Sequence, residues 1–257
     1  MVFYKTDEEV ELLRASNQLV SKTLAFVGSL IRPGITTNIL DKQAEMFIRD
    51  HGGNPGFLGY RGFPNTLCTS INDEVVHGIP SDEALNEGDI LSVDCGVLLH
   101  GYFGDSAYTF TVGEPDQEKK KLLNVTREAL FLGINQALPG KRIGDIAFAI
   151  QSQVESAGFS VVRELVGHGI GRHLHEKPEV PNFGRRGTGM ILRKGLVICI
   201  EPMVNMGVKE IVQDNDGWTM RTRDGMPSAH FELAIAITDG KPDLLTDFNE
   251  IEKIVNK

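Results

Sequence analysis

The chain echoes itself at a spacing of a little over one hundred residues, and that echo limits its possible folds more than any other feature. Arg32-Pro33-Gly34-Ile35-Thr36-Thr37 leads through a helical pattern to Gly52, and Leu138-Pro139-Gly140-Lys141-Arg142-Ile143 leads through another to Gly158, both offset by 106 positions. A second echo follows. Gly88 is followed by an apolar run and then Asp94, and Gly195 by a similar run and then Glu201, at an offset of 107. Two matches at nearly one offset imply duplicated halves, about residues 8–112 and 114–240, closing on each other as a single domain over 1–257.

Each half reads as helix, Pro-Gly turn, helix and then strands. Thr6 followed three residues later by Glu9 is a capping-box signature, and Val10, Leu13, Leu19, Val20 and Leu24 recur at helical spacing. Pro33 and Gly34 stop that helix, and Thr37 or Asn38 is expected to cap the next one, which runs to His51. The second half predicts helices over Lys121 to Ala137 and Ile143 to Ala157. Ile90–Asp94, Tyr108–Val112, Leu196–Ile200 and Phe231–Ile237 are short and β-rich, and Phe248–Lys257 reads as a short polar end. No regular strand–helix–strand alternation appears, so an α+β fold with a mainly antiparallel sheet is predicted.

Composition excludes several classes. A net charge of −9 argues against a general nucleic-acid surface, which needs clustered Lys and Arg. Lys119–Lys121 and Arg185-Arg186 read as solvated faces, with a contact to ribosomal RNA as the alternative. The N-terminus turns acidic at once, and no apolar run nears the roughly 20 residues that span a membrane. Cys68, Cys95 and Cys199 are too scattered for a disulfide framework, which points to the reducing cytosol.

Four carboxylates stand where chemistry is expected. Asp94 and Glu201 end apolar runs, Asp105 enters one, and Glu232 begins another. Buried bare, such groups cost several kcal/mol, so they must be solvated, paired or bound to a cation. If all four share one sheet, their charges converge and call for a multivalent ion. The segment Val166–Pro178 adds His168, His173 and His175 among glycines. It is neither a phosphate loop nor a zincin helix, since no Gly-Lys-Ser/Thr follows and no second His stands at helical spacing. Oxygen ligands with one imidazole suit Mn, Fe, Co or Zn, and four carboxylates suffice for two ions. His77, between Val76 and Gly78, is weak alone, and His51, His100 and His230 carry no comparable signal.

Taken in order, Cys68–Pro80, Ser92–Asp94, Gly104-Asp105, Gly167–Arg172, His175-Glu176, Ile200–Met203 and Phe231-Glu232 resemble the motifs of the methionine aminopeptidase family over essentially the whole chain. The resemblance implies the pita-bread fold, a pseudo-twofold α+β sandwich. It implies two divalent ions held by Asp94, Asp105, His168, Glu201 and Glu232, with Asp105 and Glu232 bridging. It makes His77 and His175 substrate contacts, Glu201 the proton shuttle, and Tyr60, Phe63, Cys68, Leu174 and Trp218 the pocket for the methionine side chain. The implied substrates are nascent polypeptide N-termini with a small second residue. A transient ribosome contact, a cytoplasmic location and a monomer complete the expectation. Only 31 positions separate Glu201 from Glu232, which resembles type I members. Four positions depart from the family pattern: Leu233-Ala234 in place of His-Thr, Leu174 in place of Phe, and Phe57 in place of a small residue. The rival readings are a prolidase-type hydrolase on the same fold and a non-enzymatic binding module, the latter expected to lack part of the ligand set.

Overall fold

The computed structural model describes residues 1–255, so Asn256 and Lys257 at the end of the polar tail lie outside the described residues. Helix α1 spans Asp7–Leu30 and opens with the expected capping box between Thr6 and Glu9. Helix α2, Thr37–Asp50, is capped by Thr36, not by Thr37 or Asn38. Those two side chains are drawn to the neighbouring loop, where Thr37 Oγ1 accepts from the Ser81 N–H at 2.8 Å and Asn38 Nδ2 donates to Asp82 at 2.7 Å. Helix α3 covers Gln117–Ile134 and begins at an Asp116 cap, four residues earlier than the apolar spacing predicted. Its first turn is wholly polar, so hydrophobic periodicity could not register it. Helix α4 spans Ile143–Ser156, as expected to within one residue. The polar tail is not merely an end: Asn249–Val255 forms a short helix, α5, with Ile251 fully buried.

In the first half, Ile90–Leu99 and Tyr102–Thr111 form a long antiparallel hairpin, flanked on its other edge by Leu67–Ile71. His100 and Gly101 make its two-residue turn at φ of 52° and 81°, the left-handed geometry that matches strand twist. Asp94 therefore lies inside a ten-residue strand and does not end it, and Asp105 sits within the partner strand. In the second half, Val197–Ile200 lies between Leu233–Ala236 and Gly167–Gly169, and Glu176–Val180 pairs with the latter.

The four carboxylates do not share one sheet, as the sequence suggested they could. Asp94 and Asp105 lie within the first sheet, whereas Glu201 and Glu232 stand one residue outside strands of the second, and the two sheets meet along Tyr102–Thr111. There the Glu232 N–H donates to the Ala107 carbonyl at 2.9 Å. Ser106 Oγ donates to the Glu232 carbonyl at 2.6 Å, and Thr109 Oγ1 donates to the His230 carbonyl at 2.7 Å.

Strand alternation then separates core from site. Leu91, Val93, Cys95, Val97, Ile198, Ile200, Leu233 and Ile235 join side chains of α1 to α4 in one continuous buried cluster. Each fully buried Leu or Ile there contributes roughly 1.5–3 kcal/mol. The opposite faces carry Cys68, Cys199 and Ala234, which join Phe57, Phe63 and Leu174 in a second, smaller cluster.

Candidate active site

Register explains why the carboxylates meet. Asp94 pairs with Ala107 and Gly96 with Asp105, so Asp94 and Asp105 are diagonal neighbours on one face, with Cys68 opposite Asp94. In the second half, Ile200 pairs with Leu233, so Glu201 and Glu232 come directly opposite each other one step beyond the strand ends. Both continue the Cys199/Ala234 face. Helix α1 fixes one of the four: Asn17 Oδ1 accepts the Asp105 N–H at 3.1 Å. Gly104 permits this approach, because a Cβ there would stand 2.7 Å from the Asn17 backbone.

The cavity bounded by these faces is lined by Asp94, Asp105, His168, Glu201 and Glu232 at its floor. His77, His175, Tyr60, Phe63, Cys68, Leu174 and Trp218 complete its walls with Phe57 and Arg61, so every site residue expected from sequence is brought to one cavity. His168 Nε2 lies 3.7 Å from Asp105 Oδ2 and 3.6 Å from Glu201 Oε1. Its Nδ1 donates to the Gly169 carbonyl at 2.9 Å, which leaves Nε2 free to act as a ligand. The His175 ring lies tilted against the His168 ring, 4.2 Å between centroids, and bonds Tyr60 Oη through Nδ1 at 2.8 Å. His77 is held in the left-handed region at φ 61°, a strained conformation for a non-glycine residue. Its ring stands edge-on to Trp218, which in turn meets Phe63 edge-to-face at 5.2 Å.

Several contributors escaped the sequence reading. His230, which seemed unremarkable, is buried with Nε2 at 4.0 Å from Glu201 Oε2. Cys199 is fully buried and places its sulfur with ligand atoms of Asp105, His168 and Glu232 in a group within 4.8 Å of one another. Asn17 and Arg61 gave no signal. Phe57, a departure from the family pattern, lies over Gly96, where a Cβ would come within 2.4 Å of its ring. The large side chain is accommodated by the residue facing it.

Electrostatics show what the cluster requires. Burial raises the Asp94 carboxyl to about 7. Burial also raises Asp105, helped by the charges of Glu232 and Asp94, and Glu201, helped by Asp105 and Asp94. Glu232 rises through burial and then the charges of Glu201 and Asp94. Burial lowers His168 to about 4, and it lowers His175 to about 3 with the help of His168 and Arg61. Asp94 Oδ1, Asp105 Oδ1 and Glu232 Oε1 are buried without hydrogen-bond partners. Self-repelling carboxylates with unpartnered oxygens, beside a neutral imidazole nitrogen, fit divalent cations of the Mn, Fe, Co or Zn type.

The model of metallopeptidase family M24 matches residues 11–239, which fixes the class. A methionine aminopeptidase of Clostridium acetobutylicum is 49% identical over 247 residues, covering 96% of this chain and 99% of its own. Methionine aminopeptidase 1 of Bacillus subtilis is 47% identical over 246 residues, with shares of 96% and 99%. The crystal structure of the Rickettsia prowazekii methionine aminopeptidase superposes with a TM-score of 0.95 at 41% identity, covering 96% of this chain and 100% of that one. The chain belongs to the methionine aminopeptidases of metallopeptidase family M24 and has their pita-bread fold. Among the described residues no helix is long and apolar enough to cross a membrane.

Proposed function

We propose that this protein removes the initiator methionine from nascent polypeptides in the cytoplasm, preferring a small second residue. The observation that carries the reading is the junction of two chemistries in one cavity. Buried, unpartnered carboxylate oxygens form its floor, and an apolar wall of Phe63, Cys68, Leu174 and Trp218 stands beside them. A thioether side chain suits an aromatic, sulfur-lined wall.

Asp105 and Glu232 would span two divalent ions, Asp94 would complete one, and His168 with Glu201 the other. Ions held there would supply Lewis acidity to the scissile carbonyl and to an attacking water. Glu201 takes the proton of that water and passes it to the leaving amine. His175, oriented by Tyr60, and His77, oriented beside Trp218, donate to the oxygen on which negative charge develops. Burial of the Asp105 and Glu232 side chains limits water at the floor of the cavity. Both halves serve as one catalytic domain, acting as a monomer, with any ribosome contact transient.

Release of methionine from Met-Ala-Ser, Met-Leu-Ser and an Ala-Pro peptide, with and without chelator, tests the reading. Cleavage should favour Met-Ala-Ser and vanish with chelator. No cleavage of Met-Ala-Ser in any divalent metal would sink it, and preferred Xaa-Pro cleavage would move it to the prolidase side.

A further inference from the structure

The N-terminal arm makes one contact that the reaction as described does not use. Lys5 Nζ meets Glu176 Oε2 at 2.5 Å, with both side chains only 5% exposed and 171 positions apart in sequence. The other oxygen of the same carboxylate accepts the His173 N–H at 3.2 Å. One buried carboxylate thus ties the arm to the loop between the strands Gly167–Gly169 and Glu176–Val180. That loop carries Leu174 and His175, and His168 lies on the strand before it. Gly171 records how tightly the pair is enclosed, since a Cβ there would stand 2.4 Å from Glu176 Oε1 and 2.7 Å from Lys5 Nζ. The arm itself is fixed independently: the Lys5 N–H donates to the Gly195 carbonyl at 2.6 Å, and Val2 bridges to Lys177.

A buried ion pair adds little net stability, because desolvation offsets its attraction. The loop is otherwise without regular structure, and His175 stands at its end, directly before Glu176. The Tyr60 hydroxyl, the stacked Tyr60 ring and the tilted His168 ring hold its ring from the other side.

We propose that Lys5, through Glu176, is a positioning residue for His175, so that the N-terminal arm sets the geometry of a substrate-contacting histidine. The proposal rests on the reading of His175 given above. A displacement of about 1 Å at such a group costs on the order of ten- to a hundredfold in turnover. Phe63, Cys68 and Trp218 of the pocket wall and the metal ligands on other strands are left in place.

The test uses zinc-loaded enzyme and the variants Lys5→Met and Lys5→Arg. Steady-state cleavage of Met-Ala-Ser is read together with the proton–nitrogen NMR correlation of the His175 ring. In Lys5→Met, kcat should fall at least roughly tenfold with KM within about threefold. The His175 resonances should shift while bound zinc stays at the wild-type level, and Lys5→Arg should recover most of the turnover. If Lys5→Met does not fold, the double variant Lys5→Met/Glu176→Gln, which leaves no unpaired buried charge, replaces it with the same expectation. A folded variant with wild-type kcat, or one slowed with the His175 resonances unmoved, overturns the proposal. Failure of the wild-type enzyme to cleave the peptide would instead count against the functional reading, because the NMR measurement does not depend on turnover.

Discussion

The main-chain N–H of Glu232 donates to the carbonyl of Ala107, so a carboxylate of the second half is placed by a backbone bond to a strand of the first. The Ser106 hydroxyl closes the same joint from the other side by donating to the Glu232 carbonyl. Ser106→Ala removes one buried hydrogen bond and leaves the main-chain bond intact. It should cost about 1–2 kcal/mol in urea unfolding and weaken metal binding roughly tenfold, read by titration of the apoprotein. Unchanged metal affinity would show that the joint does not orient Glu232.

Asp105 lies among carboxylates that repel it, so the metal-free protein should gain from its neutralisation. Asp105→Asn is expected to raise the melting temperature in chelator while abolishing metal binding and hydrolysis. His77→Ala should lose hydrolysis and keep its metal. Full activity in both variants would overturn the assignment of the site.

Acid should favour the metal-free fold. Asp94 rises from the usual 3.8 to about 7 on folding, and Asp105, Glu201 and Glu232 rise too, so the folded apoprotein holds more protons than the unfolded chain. Stability from these groups is fully present below pH 4 or so and is lost as pH climbs through about 7. Burial lowers His168, His175 and His230, which opposes this trend below their usual 6.5, so the melting temperature in chelator should fall above about pH 6.5, and added divalent metal should stabilise most at the upper end. A flat or rising apo profile over that range would contradict the burial of the cluster.

Phe57 and Gly96 should behave as a fitted pair. Gly96→Ala drives a methyl against the Phe57 ring and is expected to cost about 1–3 kcal/mol. Phe57→Leu in the same chain should return part of that loss, because the smaller side chain vacates the space. Strict additivity of the two substitutions in chemical denaturation would show that they do not touch.

What the sequence made legible follows the reach of each signal. Thr6 with Glu9 is local chemistry, and the capping box formed as read. At Thr36-Thr37-Asn38 three good cap residues stand in a row, and the choice fell to tertiary contacts with Ser81 and Asp82. The carboxylates were visible because each stood at an apolar run in a resembling motif. Their division between two sheets was not, since pairing between strands leaves no mark on a single strand. His230 and Asn17 act only through burial against partners far along the chain, Glu201 and Asp105 respectively, and no spacing within one sequence encodes that.

The hairpin through His100 and Gly101 also sets an order of events. Asp94 and Asp105 are joined by a two-residue turn and need only local pairing to meet, whereas the Ser106–Glu232 joint closes a separation of 126 residues. Short closures precede long ones, because less chain entropy is lost before contacts form. During synthesis the first pair of carboxylates can therefore assemble well before the second pair exists, and the enzyme stays inert until its late strand docks.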